Sequence, residues 1–308
     1  MVPKTDWIWL NGEFVRWEDA KIHILSHVIH YGTGVFEGIR CYETPKGPQV
    51  MRLQDHIKRL YNSAKIYRME LEMSRDEYSE LCLELIRRNN MSACYIRPLI
   101  YRGSGSMGVN PLNCSVDSAV AVWDWGAYLG PEALSKGVDV CVSTWNRVAP
   151  NTFPAMAKAT ANYMNGGLIK MEAIVNGFVE GIALDSQGYI GEGSGENLFM
   201  VLDDKVYTPP LSSGILPGIT RDSVITLFEK EMGLTVHEKP LNREMLYICD
   251  ELFFCGTAAE VTPIATVDKI KVGKGSRGPV TEEVQRRYLS LVKGEREDPY
   301  GWLTPVRS

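Results

Sequence analysis

The chain has 308 residues, 44% hydrophobic and 23% charged, which suits a soluble globular protein with a sizeable core and length for two ordinary domains. A formal net charge of -5, a sequence pI of about 5.7 and no lysine/arginine-rich run exclude the footprint of a nucleic-acid binder. Seven cysteines without a CxxC pair fit reduced, buried thiols better than a disulfide framework or a zinc site, so no metal is expected.

The opening, Met1 to Gly12, lacks the apolar region of a signal peptide, and no later segment has the length of a membrane span. A cytoplasmic location is the expectation. Trp7 to Trp17 reads as a hairpin, because Ile8, Leu10, Phe14 and Val15 flank Asn11-Gly12, a dipeptide suited to a two-residue turn. His27 to Arg40 then packs glycines and aromatics, Tyr31 and Phe36 among them, around one arginine, Arg40. The glycines permit tight backbone geometry, and the aromatics can wall an apolar pocket.

Leu53 to Arg68 predicts a helix with Leu53, Ile57, Leu60, Ala64 and Tyr67 at helical spacing. Arg59 lies off that face, where it can grip a phosphate or pair with a carboxylate. Ser74 to Asn89 predicts a second helix with Tyr78, Leu81, Leu85 and Ile86 on its apolar side. In the strand Cys94 to Ile100, alternation puts Tyr95 and Arg97 on one face, a plausible carboxylate receptor.

Gly103-Ser-Gly-Ser-Met-Gly108 satisfies the dinucleotide-binding pattern, but Val109-Asn110-Pro111 blocks the helix that the pattern needs. Gly273 to Gly278 matches the same pattern and reads as a turn before a helix from about Thr281. Ala119 to Trp123 reads as the last strand of a first domain, with Asp124 to Gly130 as the linker out of it. The domain reading is therefore 1–123, a linker at 124–130, and 131–308.

The second domain opens with a strand at Val138 to Trp145 and reaches Phe153-Pro-Ala-Met-Ala-Lys158-Ala-Thr-Ala-Asn-Tyr163, continuing as a helix to about Asn176. Lys158 sits among small and apolar neighbours. An ammonium removed from water loses hydration, so the neutral amine is favoured and the lysine becomes a candidate nucleophile. A surface lysine whose stem lies over alanines is the structural alternative.

Gly181 to Asp185 and Tyr189-Ile190 flank a turn and predict another hairpin. Gly191-Glu-Gly-Ser-Gly-Glu-Asn197 then sets two glutamates among glycines ahead of an apolar strand, and Glu192 is the candidate to hold a protonated pyridine nitrogen. Leu216 to Ser223 leads into a helix from Val224 to Glu231, with Thr220 able to cap it. The same unpaired amides can instead hold a phosphate, so Gly218-Ile219-Thr220 has the chemistry of an anion site. Leu252 to Glu260 is a buried strand ending in a small-residue turn, with Thr257 and Ala258 able to present a hydroxyl and backbone N–H groups.

Taken together, these groups are what pyridoxal phosphate needs. Their order, Tyr31-Gly-Thr-Gly-Val-Phe-Glu-Gly-Ile-Arg40, Tyr95-Ile-Arg97-Pro, Ala157-Lys158-Ala159, Glu192-Gly-Ser-Gly-Glu-Asn-Leu-Phe199, Leu216-Pro-Gly-Ile-Thr-Arg221 and Cys255-Gly-Thr-Ala-Ala-Glu260, resembles the branched-chain amino acid aminotransferases over nearly the whole chain. That resemblance implies the class IV aminotransferase fold, an α/β (α+β) architecture with a small N-terminal α/β domain and a larger C-terminal domain around a barrel-like sheet.

It further implies that Lys158 holds the aldehyde of pyridoxal 5'-phosphate and Glu192 faces its ring nitrogen. Arg59, Ile219, Thr220 and Thr257 would take the phosphate, and Tyr163 would contact the cofactor oxygen. Phe36 and Tyr163, with Tyr31 and Val109 from a neighbouring subunit of a homo-oligomer, would line the side-chain pocket, with Arg40 also on the substrate side. Tyr95 and the Thr257-Ala258 amides would receive the α-carboxylate, and Arg97 the distal carboxylate of glutamate. The substrates implied are leucine, isoleucine and valine with 2-oxoglutarate, in a reversible ping-pong reaction. D-amino acid aminotransferases and aminodeoxychorismate lyases share the lysine and the glutamate. A nicotinamide-dependent dehydrogenase built on Gly103 to Gly108 and a noncatalytic binding module are the rivals from other classes.

Overall fold

The computed structural model describes residues 3–126, 129 and 132–307. In chain order its first elements are β1 (Trp7–Leu10), β2 (Glu13–Arg16), α1 (His27–Tyr31), β3 (Gly34–Phe36), β4 (Ile39–Thr44), β5 (Gly47–Met51), α2 (Leu53–Ile66), α3 (Arg75–Arg88), β6 (Cys94–Arg102) and β7 (Val116–Trp123). There follow α4 (Ala133–Lys136), β8 (Val138–Val142), α5 (Asn162–Val175), β9 (Glu180–Leu184), β10 (Ile190–Gly193), β11 (Asn197–Leu202) and β12 (Lys205–Thr208). The remainder is α6 (Ile219–Glu231), β13 (Val236–Glu238), α7 (Met245–Ile248), β14 (Glu251–Gly256), β15 (Glu260–Val267), β16 (Ile270–Lys271), α8 (Pro279–Val292) and β17 (Leu303–Pro305). None of these helices is long and apolar enough to cross a membrane.

The chain forms two compact units. The first holds the residues up to Gly126, the peptide Ala157–Ala161 and the tail from Leu291, and the second holds the stretch that ends at Met156 together with Asn162–Ser290. The contact division therefore differs from the division read along the sequence at the lysine peptide and at the tail. Ala127, Tyr128 and Gly130 of the expected linker lie outside the described residues.

In the first unit the strand order is β17-β5-β4-β6-β7-β1-β2, with β3 paired to β6. Asn11 and Gly12 both adopt positive φ, as an Asn-Gly hairpin turn requires. The expected apolar spacing of the two helices is used. Leu53, Ile57, Leu60 and Ala64 of α2 and Tyr78, Leu85 and Ile86 of α3 share one core with Ile39, Ile96, Ile100, Val120 and Val122 of the sheet. A capping box fixes the start of α3, where Ser74 accepts from the Glu77 amide and Glu77 accepts from the Ser74 amide.

The tail joins this unit because Leu303 pairs with Met51 on β5. The lysine peptide joins it for a similar reason. Val35 bridges to Ala159, the Phe36 amide donates to the Lys158 carbonyl at 3.0 Å, and the Thr160 amide donates to the Gly34 carbonyl at 2.8 Å. Thus β3 has β6 on one side and the lysine peptide on the other.

In the second unit the order is β10-β9-β8-β15-β14-β11-β12-β13, with β16 paired to β15. Its core stacks Phe199 on Phe253 at 5.2 Å, with Phe228 of α6 tilted against both. Two boundaries depart from expectation. The strand from Val138 ends at Val142 rather than Trp145, and α6 begins at Ile219 rather than Val224. Consequently Thr220 is not the cap of α6: Gly218 occupies that position and, as a glycine, supplies no capping side chain of its own.

Helix α5 packs closely on the loop after β10. A Cβ at Gly166 would lie 2.2 Å from the Ser194 carbonyl oxygen, whereas one at Gly167 would find only the Met164 methyl at 3.7 Å. Gly166→Ala should therefore destabilise by about 1–3 kcal/mol through overpacking. Gly167→Ala should stabilise by about 0.4–1 kcal/mol because alanine restricts the unfolded chain. Urea midpoints of the two variants check the opposite signs.

Candidate active site

The chemistry in the first unit begins with Lys158, whose side chain is half-buried. Its Nζ lies 4.9 Å from the centre of the Phe36 ring. Its amide donates to Ser63 Oγ of α2 at 3.0 Å, so both the strand and the helix fix the backbone that carries it. Burial, with help from the nearby Arg59 cation, lowers the amine to about 8, against an opposing pull from Glu37. A lysine of this kind is still mostly protonated near physiological pH, but its neutral fraction, about a tenth to a fifth, is far above that of an ordinary lysine.

Beside it is an ionic cluster built from α2 and the segment after β3. Glu37 is fully buried, and it accepts from Arg59 Nε at 2.6 Å, Arg59 Nη2 at 2.8 Å and His56 Nδ1 at 2.7 Å. Burial alone would raise this carboxyl, but Arg59 and His56 override it and hold it well below the usual carboxylate range. Burial depresses His56 against the pull of Glu37, so its imidazole is a neutral donor rather than a second cation. The carboxylate partner that the sequence leaves open to Arg59 is present, as a bidentate pair through Nε and Nη2.

Tyr95 and Arg97 share a face, as the alternation of β6 predicts, with Arg97 Nη2 3.4 Å from the Tyr95 hydroxyl. Arg97 lies 4.7 Å from the Phe36 ring centre, 5.3 Å from that of Tyr95 and 5.5 Å from that of Trp123. Aromatic faces thus stabilise this guanidinium by cation–π attraction. Its Nε is buried without a hydrogen-bond partner among the described residues.

Gly38 is required here, since a Cβ would sit 1.8 Å from the Tyr95 hydroxyl. Arg40 stands opposite Tyr95 in the β4–β6 register and donates to the Trp125 carbonyl at 3.4 Å. Tyr31 stacks on His27 and donates to the Met107 carbonyl, and Val109 is 82% exposed, so both lie at the surface of this unit.

The second unit gathers the other predicted groups. Glu192 on β10 is buried and ion-paired, with Oε1 2.8 Å from Arg147 Nη2 and Oε2 accepting from Asn197 Nδ2 at 3.0 Å and the Leu216 amide at 3.1 Å. Asn197 also meets the start of α6, because a Cβ at Gly218 would lie 1.9 Å from its Oδ1. Glu192 is therefore tied to the helix end that presents Ile219 and Thr220, both buried. Tyr163 approaches Gly195 in the loop between β10 and β11, and Gly256, next to Thr257 and Ala258, approaches Gly195 and Glu196.

Glu196 behaves differently from its neighbour. Burial, reinforced by the charge of Glu180, raises it to about 8, so it is mostly protonated at neutral pH. Of the two glutamates in the motif, Glu192 is the one held on a guanidinium.

Four partners of these residues escape a reading of the sequence: Glu37, His56, Arg147 and Asn197. His56 and Arg59 carry a local signal, being three apart on one helix face. Arg147 carries none, because Glu192 is distant in sequence, whereas Asn197 stands five residues from Glu192 in the same glycine-rich motif. The lowered amine leads to a direct expectation. Modification of Lys158 by trinitrobenzenesulfonate in the protein without aldehyde should be half-maximal near pH 8, rather than near the ordinary lysine value of 10.5, when followed by peptide mapping.

A family model described as amino-transferase class IV matches residues 34–267. The branched-chain-amino-acid aminotransferase of Salmonella typhimurium is 55% identical over 306 residues, covering 99% of each chain. The crystal structure of the Escherichia coli branched-chain amino acid aminotransferase superposes with a TM-score of 0.96 at 55% identity, covering 99% of this chain and 100% of that one. The branched-chain amino acid aminotransferase from Thermobaculum terrenum, in its PLP (holo) form, gives a TM-score of 0.92 at 34% identity, covering 99% of both chains. The two-domain fold expected from the motifs is therefore the fold observed, and the chain belongs to the class IV aminotransferases, in the branched-chain amino acid aminotransferase family.

Proposed function

We propose that this protein catalyses reversible transamination between leucine, isoleucine or valine and 2-oxoglutarate, with pyridoxal 5'-phosphate as cofactor. The observation that carries the reading is the half-buried Lys158 amine, lowered to about 8 and set against an aromatic ring. The residues fit the cofactor on chemical grounds. An amine whose proton is lost more easily than an ordinary lysine's suits its aldehyde, an ion-paired buried carboxylate suits a protonated ring nitrogen, and the amino end of α6 suits its phosphate.

In this reading Lys158 holds the aldehyde carbon and Glu192 the ring nitrogen, with Tyr163 at the cofactor oxygen. Arg59, Ile219, Thr220 and Thr257 hold the phosphate. The bound cofactor supplies an electrophilic carbon for the amino group and a sink for the electron pair left when Cα loses its proton. Lys158, as the neutral amine, would take that proton from Cα and deliver it to the carbon that had been the aldehyde. Arg147 holds Glu192 in place through their ion pair.

Tyr95 and the Thr257-Ala258 amides receive the α-carboxylate. Phe36 and Tyr163, with Tyr31 and Val109 of a second copy, line the apolar pocket, and Arg40 stands on the substrate side. Arg97 receives the distal carboxylate of glutamate. The amino donor and the keto acid use the same groups in turn, so the kinetics are ping-pong. The functional organisation is a small domain at 1–123, a linker at 124–130 and a large domain at 131–308, working in the cytoplasm as a homo-oligomer with shared sites.

Half-reactions followed by absorbance test the assignment. L-Leucine should convert the cofactor while D-alanine and aminodeoxychorismate do not, and conversion by D-alanine alone would overturn it. Arg97→Ala should reduce the half-reactions with glutamate and 2-oxoglutarate about 10- to 100-fold, the size of one charge-assisted hydrogen bond, while the leucine half-reaction changes less than about threefold.

A further inference from the structure

Glu37 and His56 have no part in the roles above, yet they occupy the centre of the ionic cluster beside Lys158. We propose that Glu37, backed by His56, is a positioning residue that fixes the Arg59 guanidinium in the orientation needed to take a phosphate. The inference rests on the reading of Arg59 as a phosphate ligand.

The two Glu37 oxygens engage Arg59 Nε and Nη2, which is a planar fork on a planar fork. This uses two of the five guanidinium donors and sets the plane and direction of the rest. Glu37 Oε2 is itself held from two further sides, by His56 Nδ1 at 2.7 Å and by the Gly38 amide at 3.2 Å. Neutral His56, one helical turn before Arg59 on α2, can donate to that oxygen without adding a competing charge. The carboxylate thus has no freedom to follow the arginine; the arginine must conform to the carboxylate.

The same two segments place the nucleophile. Helix α2 carries His56 and Arg59, and its Ser63 accepts from the Lys158 amide; β3 ends in Phe36, whose amide donates to the Lys158 carbonyl, and Glu37 follows. A purely structural ion pair would have no reason to share both supports with the lysine. The competing view is that Glu37 only weakens Arg59 as an anion ligand by neutralising it. The two views differ in sign.

The test is the preference for pyridoxal phosphate over pyridoxal, taken as the ratio of the two dissociation constants measured by absorbance titration of the full chain freed of cofactor. Arg59→Met should lower this preference. Glu37→Gln should lower it about tenfold and leave pyridoxal binding within about threefold, and the double variant should fall no further than Arg59→Met, because both act through one contact. An unchanged or raised preference in Glu37→Gln, or additive losses in the double variant, would overturn the role of Glu37. An unchanged preference in Arg59→Met would overturn the reading of Arg59 itself, and the inference with it. Should Glu37→Gln fail to fold, His56→Ala, which leaves the ion pair in place, carries the same test: a fall in the preference supports the inference and no change defeats it.

Discussion

Two backbone hydrogen bonds, from Phe36 to the Lys158 carbonyl and from Thr160 to the Gly34 carbonyl, hold a short peptide along the edge of β3. Without them Lys158 would ride on an exposed segment before α5, and its ammonium would be hydrated and inert. With them, the amine is set over Phe36 and close to Arg59, where losing a proton becomes easy. The small residues Ala157 and Ala159, both buried, allow the peptide to approach the strand this closely. Reactivity here is a consequence of strand pairing.

The charges around this edge follow one logic. In the first unit the cations Arg59 and Lys158 have Glu37 as a buried counter-charge, and that carboxylate is tolerated because it accepts hydrogen bonds from Arg59, His56 and the Gly38 amide. Breaking such a matched pair costs far more than the pair contributes relative to an apolar substitute, so each partner constrains the others. In the second unit, Glu192 is kept on Arg147 while Glu196, a few residues away, is pushed toward its neutral form by burial. Two carboxyls in one glycine-rich motif therefore have different surroundings: Glu192 sits on a guanidinium, whereas burial beside Glu180 governs Glu196.

Much of the architecture is legible from local pattern. The Asn11-Gly12 turn, the apolar stripes of α2 and α3 and the blocked helix after Gly108 each rest on contacts within a few residues, and short-range rules handle these well. The start of α6 is not legible in this way, because Thr220 looks like a capping residue whereas it lies inside the first turn and Gly218, beside Asn197, holds the cap position. The lysine peptide reads as part of the sequence around it because nothing local reveals a pairing with residues more than a hundred positions earlier. For the site, chemistry-bearing residues such as Lys158, Tyr95, Arg97 and Glu192 announce themselves by type and setting. Asn197 holds Glu192 from within the same motif, but Glu37, His56 and Arg147 are visible as supporting groups only when distant segments are brought together.

Membership of the class IV aminotransferases is established by likeness over nearly the full length, and the geometry supplies a physical reason for this chain to do that chemistry. The central claim is that one amine, at position 158, carries the cofactor. Borohydride reduction of the protein loaded with pyridoxal phosphate, followed by peptide mapping, addresses it most directly. A reduced pyridoxyl phosphate group on the peptide containing Lys158 and on no other is the predicted result; the group on a different lysine, or no label on a protein that stays colourless, would contradict the account.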